Sequence, residues 1–166
     1  MGHKDHHEKA AGPVTCYVIT VSDTRTEATD EGGRLIREAL LAAGHHVACH
    51  TIVRDDPDAV RAALIDETPP SAQVVILTGG TGISRRDTTV DTVRPLLDVE
   101  LPGFGELFRA LSYQDIGPAA MLSRATAGVM RRRVVFCLPG SVAAIGLALD
   151  KLIIPELAHL VWEANR

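Results

Sequence analysis

Short apolar segments of strand length alternate with amphipathic segments in the first half of this chain. Residues 14–21, 46–53 and 74–78 are rich in apolar and β-branched side chains, whereas residues 30–43 and 57–66 place apolar side chains at helical spacing. Continuous apolar runs are typical of strands that are covered on both faces, as in a parallel sheet. The alternation therefore predicts an α/β fold, a three-layer α/β/α domain with a mostly parallel sheet.

The second half of the chain continues this pattern with one change. Residues 125–130 and 133–138 are two short strand candidates separated by basic residues, which predicts a hairpin-like edge on the parallel sheet. Helical segments are expected at residues 89–97, 104–112, 141–149 and 155–162. Pro155 is expected to break or restart the last helix, because proline removes a backbone hydrogen bond and its ring clashes with the preceding turn.

The length of 166 residues is that of one domain. Residues 1–13 are polar and unpatterned, which predicts a flexible leader, and residues 14–166 are expected to form a single domain. Hydrophobic residues make up 46% of the chain and charged residues 23%, values that exclude a disordered chain or a fibrous repeat.

Charge and composition also limit the partners of this protein. A formal charge of −4 and an aromatic content of 4% give no basic face or stacking platform for nucleic acid. No apolar run reaches the roughly 20 residues that span a bilayer, and no secretory signal is visible. Cys16, Cys49 and Cys137 lie at no metal-ligand spacing and are expected to be small buried hydrophobes with reduced thiols. Together these features predict a cytoplasmic protein without a membrane partner.

Polar and glycine residues follow the predicted parallel strands. Because open parallel sheets bind ligands outside the carboxyl ends of their strands, these residues are candidates for a functional site. They are Ser22 and Asp23 after the first strand, Asp55 after the second, Thr78, Gly79, Gly80, Thr81 and Gly82 at the end of the third, and Pro139, Gly140 and Ser141 after the last. Core packing does not account for so many polar residues at one edge of a sheet.

The glycine loop that follows the third predicted strand indicates phosphate binding. Three glycines in four positions, residues 79–82, allow the backbone to approach an anion closely, although a tight strand-to-helix turn is the alternative interpretation. The loop lacks the lysine and the spacing of a Walker motif. It is also no dinucleotide fingerprint, because Arg85 stands where that motif has its third glycine, which disfavours a nicotinamide-dependent oxidoreductase.

Charged residues next to the glycine loop indicate a magnesium ion between carboxylates and phosphates. Arg86 could bind phosphate oxygens through its guanidinium. Asp87 is the first candidate ligand for Mg²⁺ and Asp55 the second, because one or two carboxylates plus substrate phosphates are the usual ligands of this ion. The alternatives for Asp87 are a helix N-cap or a surface ion pair. Asp56, which precedes Pro57, is expected to cap a helix.

Two further segments could contribute to a site. Pro102, Gly103, Phe104, Gly105 and Glu106 form a compact predicted loop that opens a helix and either contacts a ligand or anchors a turn with a core aromatic. Ser123 and Arg124 could donate to an anion or lead into a strand. Ser141 is either a helix N-cap or an anion donor.

Together these motifs resemble those of the MoaB/Mog family of molybdenum cofactor biosynthesis proteins, which share the molybdopterin-binding fold. The motifs are VSD at residues 21–23, LTGGTG at 77–82 with RD at 86–87, PGFGE at 102–106, SRA at 123–125 and LPGS at 138–141. The resemblance covers residues 14–162, and residues 108–117 are more similar to the MoaB branch than to the MogA branch.

The resemblance implies that the protein binds molybdopterin and, like active members, adenylylates it with Mg-ATP and releases pyrophosphate. Asp87 and Asp55 match the family's catalytic carboxylates and would hold Mg²⁺. Residues 79–82 would bind phosphate, and residues 102–106 with 139–141 would line the pterin or nucleotide pocket. Ser22 and Asp23 stand where the family also contacts ligand.

Two alternatives remain at this point: a non-catalytic carrier of molybdopterin and a general nucleotide-binding oligomer. The family resemblance implies a homo-trimer or hexamer. The strongly apolar segments 141–149 and 155–162 also favour an oligomer contact, because they are more apolar than one sheet face requires.

Overall fold

Six strands form one sheet in the described part of the chain, residues 12–166 of the computed structural model. The predicted leader, residues 1–13, lies outside the described residues except for its last two. The strands are β1 (Thr15–Val21), β2 (His46–Val53), β3 (Val74–Thr78), β4 (Val99–Glu100), β5 (Thr126–Met130) and β6 (Arg133–Leu138).

Helices cover both faces of this sheet. The α-helices are α1 (Glu31–Ala42), α2 (Pro57–Ile65), α3 (Thr89–Val93), α4 (Pro102–Ile116), α5 (Val142–Ala148) and α6 (Ile154–Asn165). Short 3₁₀ segments at Arg94–Leu96 and Gly117–Leu122 follow α3 and α4, and a π-helical segment, Leu149–Ile153, joins α5 to α6. None of the helices within residues 12–166 has both the length and the apolarity that a membrane crossing requires.

The strand order is β2-β1-β3-β6-β5-β4. The first four strands of this order are parallel, and β5 and β4 are added antiparallel to their neighbours, which confirms the mostly parallel sheet with a hairpin-like edge. Thr20, Thr78 and Leu138 are register partners across β1, β3 and β6, and Val21 is opposite Val53 of β2. The carboxyl ends of the four parallel strands therefore lie along one edge of the sheet.

Alternate residues of the central strands pack into two separate cores, which gives the three predicted layers. On one face Val18, Ile76 and Phe136 pack with side chains from α1, α4, α5 and α6. On the other face Ile19, Leu77 and Cys137 pack with side chains from α2 and α3. The central strands are buried on both faces, so their sequences are almost continuously apolar.

The segment at residues 102–106 is the first turn of a helix, so the prediction of a loop there was wrong. The helix α4 begins at Pro102, whose fixed φ suits the first helical position and whose missing N–H needs no partner there. The helix extends to Ile116, four residues beyond the predicted end at Ser112. The short strand β4 was not predicted, because two exposed residues carry no strand pattern.

Three other local predictions have contrasting outcomes. The prediction that all three cysteines are buried was wrong for Cys49, which is exposed because β2 is the edge strand of the sheet. Pro155 restarts the α-helix as expected: it lies in the first turn of α6, directly after the π-helical segment. The N-cap prediction for Asp56 is also confirmed, since its carboxylate accepts from the backbone N–H groups of Asp58 and Ala59.

Candidate active site

The glycine loop lies at the carboxyl edge of the sheet and is bonded to the loop that follows β6. The backbone N–H of Gly79 donates to the carbonyl of Leu138 at 3.0 Å, and the Thr78 hydroxyl donates to the carbonyl of Pro139 at 2.9 Å. Gly79 and Gly80 have φ angles of +101° and +66°, which side chains rarely tolerate. These two glycines are therefore required by the backbone path of the loop.

Two carboxylates from different segments lie against this loop, and a third lies beside one of them. The backbone N–H of Asp55 donates to Oδ1 of Asp23 at 3.1 Å, so the residues after β1 and β2 are in contact. A Cβ atom placed on Gly80 would lie 3.2 Å from Oδ1 of Asp55, and one on Gly82 would lie 2.9 Å from Oδ2 of Asp87. Asp55 and Asp87, which are 32 positions apart in sequence, thus both lie against the glycine loop.

Asp55 is in an environment that disfavours its negative charge. Its Oδ1 atom is buried and has no hydrogen-bond partner within residues 12–166. Burial raises the pKa of the Asp55 carboxyl above its ordinary value, the nearby charges of Asp23 and Asp87 raise it further, and only Arg86 opposes this shift. A buried carboxylate oxygen without a partner is costly, so this position favours a bound cation.

Asp87 adopts neither of the alternatives considered from sequence. Its Oδ2 accepts from the backbone N–H of Ser84 at 2.8 Å and so closes the turn that follows the glycine loop. The N-cap residue of α3 is Thr88, whose side chain makes no capping bond. Arg86 forms its ion pair with Asp23, at 2.5 Å, instead of with Asp87.

Two polar cavities lie at this edge of the sheet. One, of about 220 Å³, includes the predicted residues Ser22, Thr78, Gly79 and Gly140 in its lining. The other, of about 300 Å³, lies over the turn after the glycine loop and is lined by Ile83, Ser84, Arg85, Asp87, Thr88, Asp91 and Arg124. The predicted residues at the ends of β1, β3 and β6 are therefore brought together around open space.

Several predicted anion donors are already bonded within the protein. The guanidinium of Arg124 donates to backbone carbonyls and to Asp91, and the hydroxyl of Ser123 accepts from the backbone N–H of Ala125 at 3.3 Å. Ser141 caps α5 by accepting from the N–H of Ala144, which corresponds to the N-cap alternative.

The residues of the PGFGE motif lie apart from the two polar cavities. Pro102, Gly103 and Phe104 line an apolar groove of about 470 Å³ between the start of α4 and the C-terminal helices, together with Phe136 and Leu160. Gly105 is buried and Glu106 is exposed, and neither lines any of the three cavities described. Residues 102–106 were predicted to line one pterin or nucleotide pocket together with residues 139–141. Within residues 12–166 of a single chain the two segments do not line the same cavity.

Sequence analysis missed a buried polar cluster at the wall of the smaller cavity. The Thr20 hydroxyl donates to Oδ2 of Asp30 at 2.6 Å, and Nε2 of His50 lies 3.0 Å from the same oxygen. Asp30 also caps α1 through the N–H of Gly33, at 2.8 Å. Arg25 lines the same cavity and was missed as well. An acidic residue directly before a helical pattern is a capping signal that identifies Asp30, whereas nothing local marks His50.

Replacement of Asp55 by Asn should stabilise the ligand-free protein at neutral pH. A carboxyl whose pKa is raised by folding binds its proton more tightly in the folded state, so its stability contribution is lost as pH rises above about 4. Asp55→Asn removes that loss. Thermal unfolding should give a higher melting temperature than the wild type at pH 7 and a smaller difference near pH 4. The exposed residue Asp150, in the π-helical segment between α5 and α6, provides the control Asp150→Asn; an equal gain there would contradict the explanation.

The sheet is mostly parallel, and a glycine loop and three carboxylates lie at its carboxyl edge. These features place the protein in the class of open α/β proteins that bind a ligand at this edge. Residues 17–159 match the family model described as a probable molybdopterin binding domain. The chain belongs to the MoaB/Mog family of molybdenum cofactor biosynthesis proteins.

Individual relatives agree with this assignment over nearly their whole length. The Molybdenum cofactor biosynthesis protein B of Bacillus subtilis (strain 168) is 51% identical, with 100% of this chain and 99% of that protein covered. A crystal structure of a Molybdenum cofactor biosynthesis protein B superposes with a TM-score of 0.90 at 50% identity, covering 93% of this chain and 98% of that one. The tungsten cofactor synthesizing protein MoaB from Pyrococcus furiosus has a TM-score of 0.84 at 42% identity, covering 94% and 99%.

Proposed function

We propose that this protein catalyses the Mg²⁺-dependent transfer of the adenylyl group from ATP to molybdopterin. Its family assigns it to molybdenum cofactor biosynthesis. In the proposed reaction a terminal phosphate oxygen of molybdopterin forms a bond to the α-phosphorus of ATP. The bond between that phosphorus and the oxygen leading to the β-phosphate breaks, which yields adenylyl-molybdopterin and pyrophosphate.

The observation that carries the proposal is the buried, unpartnered oxygen of Asp55 among neighbouring acids. Asp55 has Asp23 and Asp87 as electrostatic neighbours, and its pKa is raised by burial and by both of them. Such a group of acids beside a glycine loop repels phosphates unless a cation lies between them. If this segment served only as a turn, uncharged side chains at these positions would make the folded protein more stable.

Asp55 and Asp87 are the residues that would hold the magnesium ion. Within residues 12–166 no group of three or more His, Cys, Asp or Glu side chains is arranged to bind a metal ion alone. This fits Mg²⁺, which is commonly bound through one or two carboxylates with phosphate and water oxygens as its other ligands. When bound, the ion would supply positive charge that neutralises the polyphosphate and the charge developing on it.

The remaining residues of the site bind and orient the substrates. The glycine loop, residues 79–82, would offer backbone groups to the bound phosphates, along a path that the positive φ angles of Gly79 and Gly80 make possible. Arg86 is largely exposed and pairs with Asp23, so its guanidinium lies beside the same acids. No protein nucleophile is needed, since phosphoryl-type transfer depends mainly on positioning and charge neutralisation.

The test is pyrophosphate release by the purified protein with ATP, Mg²⁺ and molybdopterin, with adenylyl-molybdopterin identified by mass spectrometry. We expect product only when all three are present, and none with EDTA in place of Mg²⁺. Binding of molybdopterin without pyrophosphate release would instead identify a carrier. Binding of ATP without any binding of molybdopterin would indicate a general nucleotide-binding protein.

A further inference from the structure

The side chain of Arg124, which was expected either to donate to an anion or to lead into a strand, is directed at the protein. Its Nε donates to the carbonyl of Gly82 at 2.9 Å, and its Nη2 donates to the carbonyl of Asp87 at 2.7 Å. Nη1 and Nη2 both donate to the carboxylate of Asp91, each at 3.0 Å. Nε and Nη2 therefore have protein acceptors for all their N–H groups.

The carbonyls that Arg124 holds mark the two ends of one turn. Gly82 is the last residue of the glycine loop and Asp87 is the candidate magnesium ligand, and the chain between them turns back on itself. The backbone N–H of Arg124 adds a third bond, to the carbonyl of Thr81 at 3.1 Å. The turn is thus fixed from outside by a residue that is distant in sequence and belongs to the segment before β5.

The Asp87 carboxylate depends on this turn for its direction. Its backbone N–H donates to the carbonyl of Ser84 at 3.0 Å, and its Oδ2 accepts from the N–H of the same residue at 2.8 Å. Once Arg124 fixes the Asp87 carbonyl, the peptide plane and the side chain of Asp87 have little freedom. The guanidinium is itself held in one orientation by its bidentate bond to Asp91.

We propose that Arg124 and Asp91 form a clamp that positions Asp87 for the reaction, and that Arg124 is a positioning residue and not a ligand of the substrate phosphates. The hydrogen bonds from Arg124 also lower the pKa of the Asp91 carboxyl, as expected for a charge-assisted contact between the two side chains. The inference has two parts. The structural part, that the clamp holds the turn between Gly82 and Asp87, is independent of the proposed function. The kinetic part, that the clamp raises the rate of the reaction, rests on the proposed function.

The structural part is tested by trypsin on the ligand-free protein. Arg85 and Arg86 are exposed within the clamped turn and provide cleavage sites inside it. Because proteolysis follows the population of the opened segment, loss of two hydrogen bonds in Arg124→Gln should speed cleavage after these residues about tenfold. Arg34→Gln, which removes an arginine from the exposed pair with Glu38 on α1, is the matched control and should be cleaved like the wild type.

The kinetic part is tested by the split between kcat and KM. A positioning role predicts that Arg124→Gln lowers kcat by about tenfold to a hundredfold while KM for ATP changes little, because misplacing a reacting group costs rate. A phosphate ligand would show the reverse, a raised KM. Arg124→Lys, which keeps the charge but cannot bond both carbonyls, should behave like Arg124→Gln.

Asp91→Asn separates the two interpretations further. If Arg124 bound phosphates, removal of the neighbouring negative charge would tighten ATP binding and preserve kcat. A clamp predicts faster trypsin cleavage and lower kcat in Asp91→Asn, and this variant also serves if Arg124→Gln does not fold, since Asp91 is exposed.

Unchanged cleavage in both variants, or unchanged kcat with faster cleavage, would overturn the proposal. If the wild type releases no pyrophosphate, the proposed function fails while the cleavage rates still decide whether the clamp exists.

Discussion

Asp87→Asn should lower the rate of pyrophosphate release by at least about a hundredfold, as the removal of one group that stabilises transition-state charge does elsewhere. The fold should be unaffected, because Asn keeps an oxygen that can accept from the backbone N–H of Ser84 as Asp87 does. What is lost is the negative charge that, in the proposed site, holds the magnesium ion with Asp55. Steady-state release with ATP, Mg²⁺ and molybdopterin measures the effect.

Two controls make this result specific to the carboxylate. Asp66→Asn removes an exposed acid at the far end of α2 and should retain wild-type turnover and circular dichroism. Raising the Mg²⁺ concentration should partly restore Asp87→Asn, because Asp55 remains as a ligand in the proposed site. Full turnover in Asp87→Asn at limiting Mg²⁺ would show that this acid has no part in the reaction.

The buried strands were predictable because their evidence is local. The central strands β1 and β3 are covered on both faces, so nearly every one of their residues is apolar and the pattern needs no knowledge of the neighbours. The glycine loop and the acids Asp55 and Asp87 were equally accessible to sequence analysis. They follow strands directly, and parallel topology then brings them to one edge of the sheet.

The features that sequence analysis missed depend on partners that are distant along the chain. Cys49 is exposed because β2 is at the edge of the sheet, a consequence of the strand order and not of its own neighbours. Arg124 was expected either to donate to an anion or to lead into a strand, and nothing near it in sequence indicates the acceptors of its side chain, which lie 33 to 42 positions away. His50 joins Thr20 and Asp30 only through the pairing of β1 with β2.

Gly79 shows that the glycine signal in the loop has a structural component besides any contact with phosphate. A Cβ atom at this position would lie 2.3 Å from the carbonyl oxygen of Val21, the last residue of β1. That oxygen belongs to rigid backbone, so the clash cannot be relieved by turning a side chain. The φ angle of +101° is itself unfavourable for any side chain. The close spacing of β1 and β3 at the site therefore requires glycine here.

Gly79→Ala should consequently lower the free energy of unfolding by at least about 2 kcal/mol, the sum expected from a strained φ and a displaced strand end. For a chain of this length the melting temperature should fall by about 4–8 °C. Thermal and urea-induced unfolding of the ligand-free protein measure this loss without reference to catalysis.

Gly103→Ala is the matched control, because a Cβ atom there meets nothing within 4 Å and the residue lies in the first turn of α4. Its stability should be unchanged or slightly higher, since Ala favours helix over Gly by up to about 1 kcal/mol. Equal melting temperatures for Gly79→Ala and the wild type would show that β1 and the loop can move apart freely. The first glycine of the loop would then be explained by a ligand that approaches it, and not by the packing of the sheet edge.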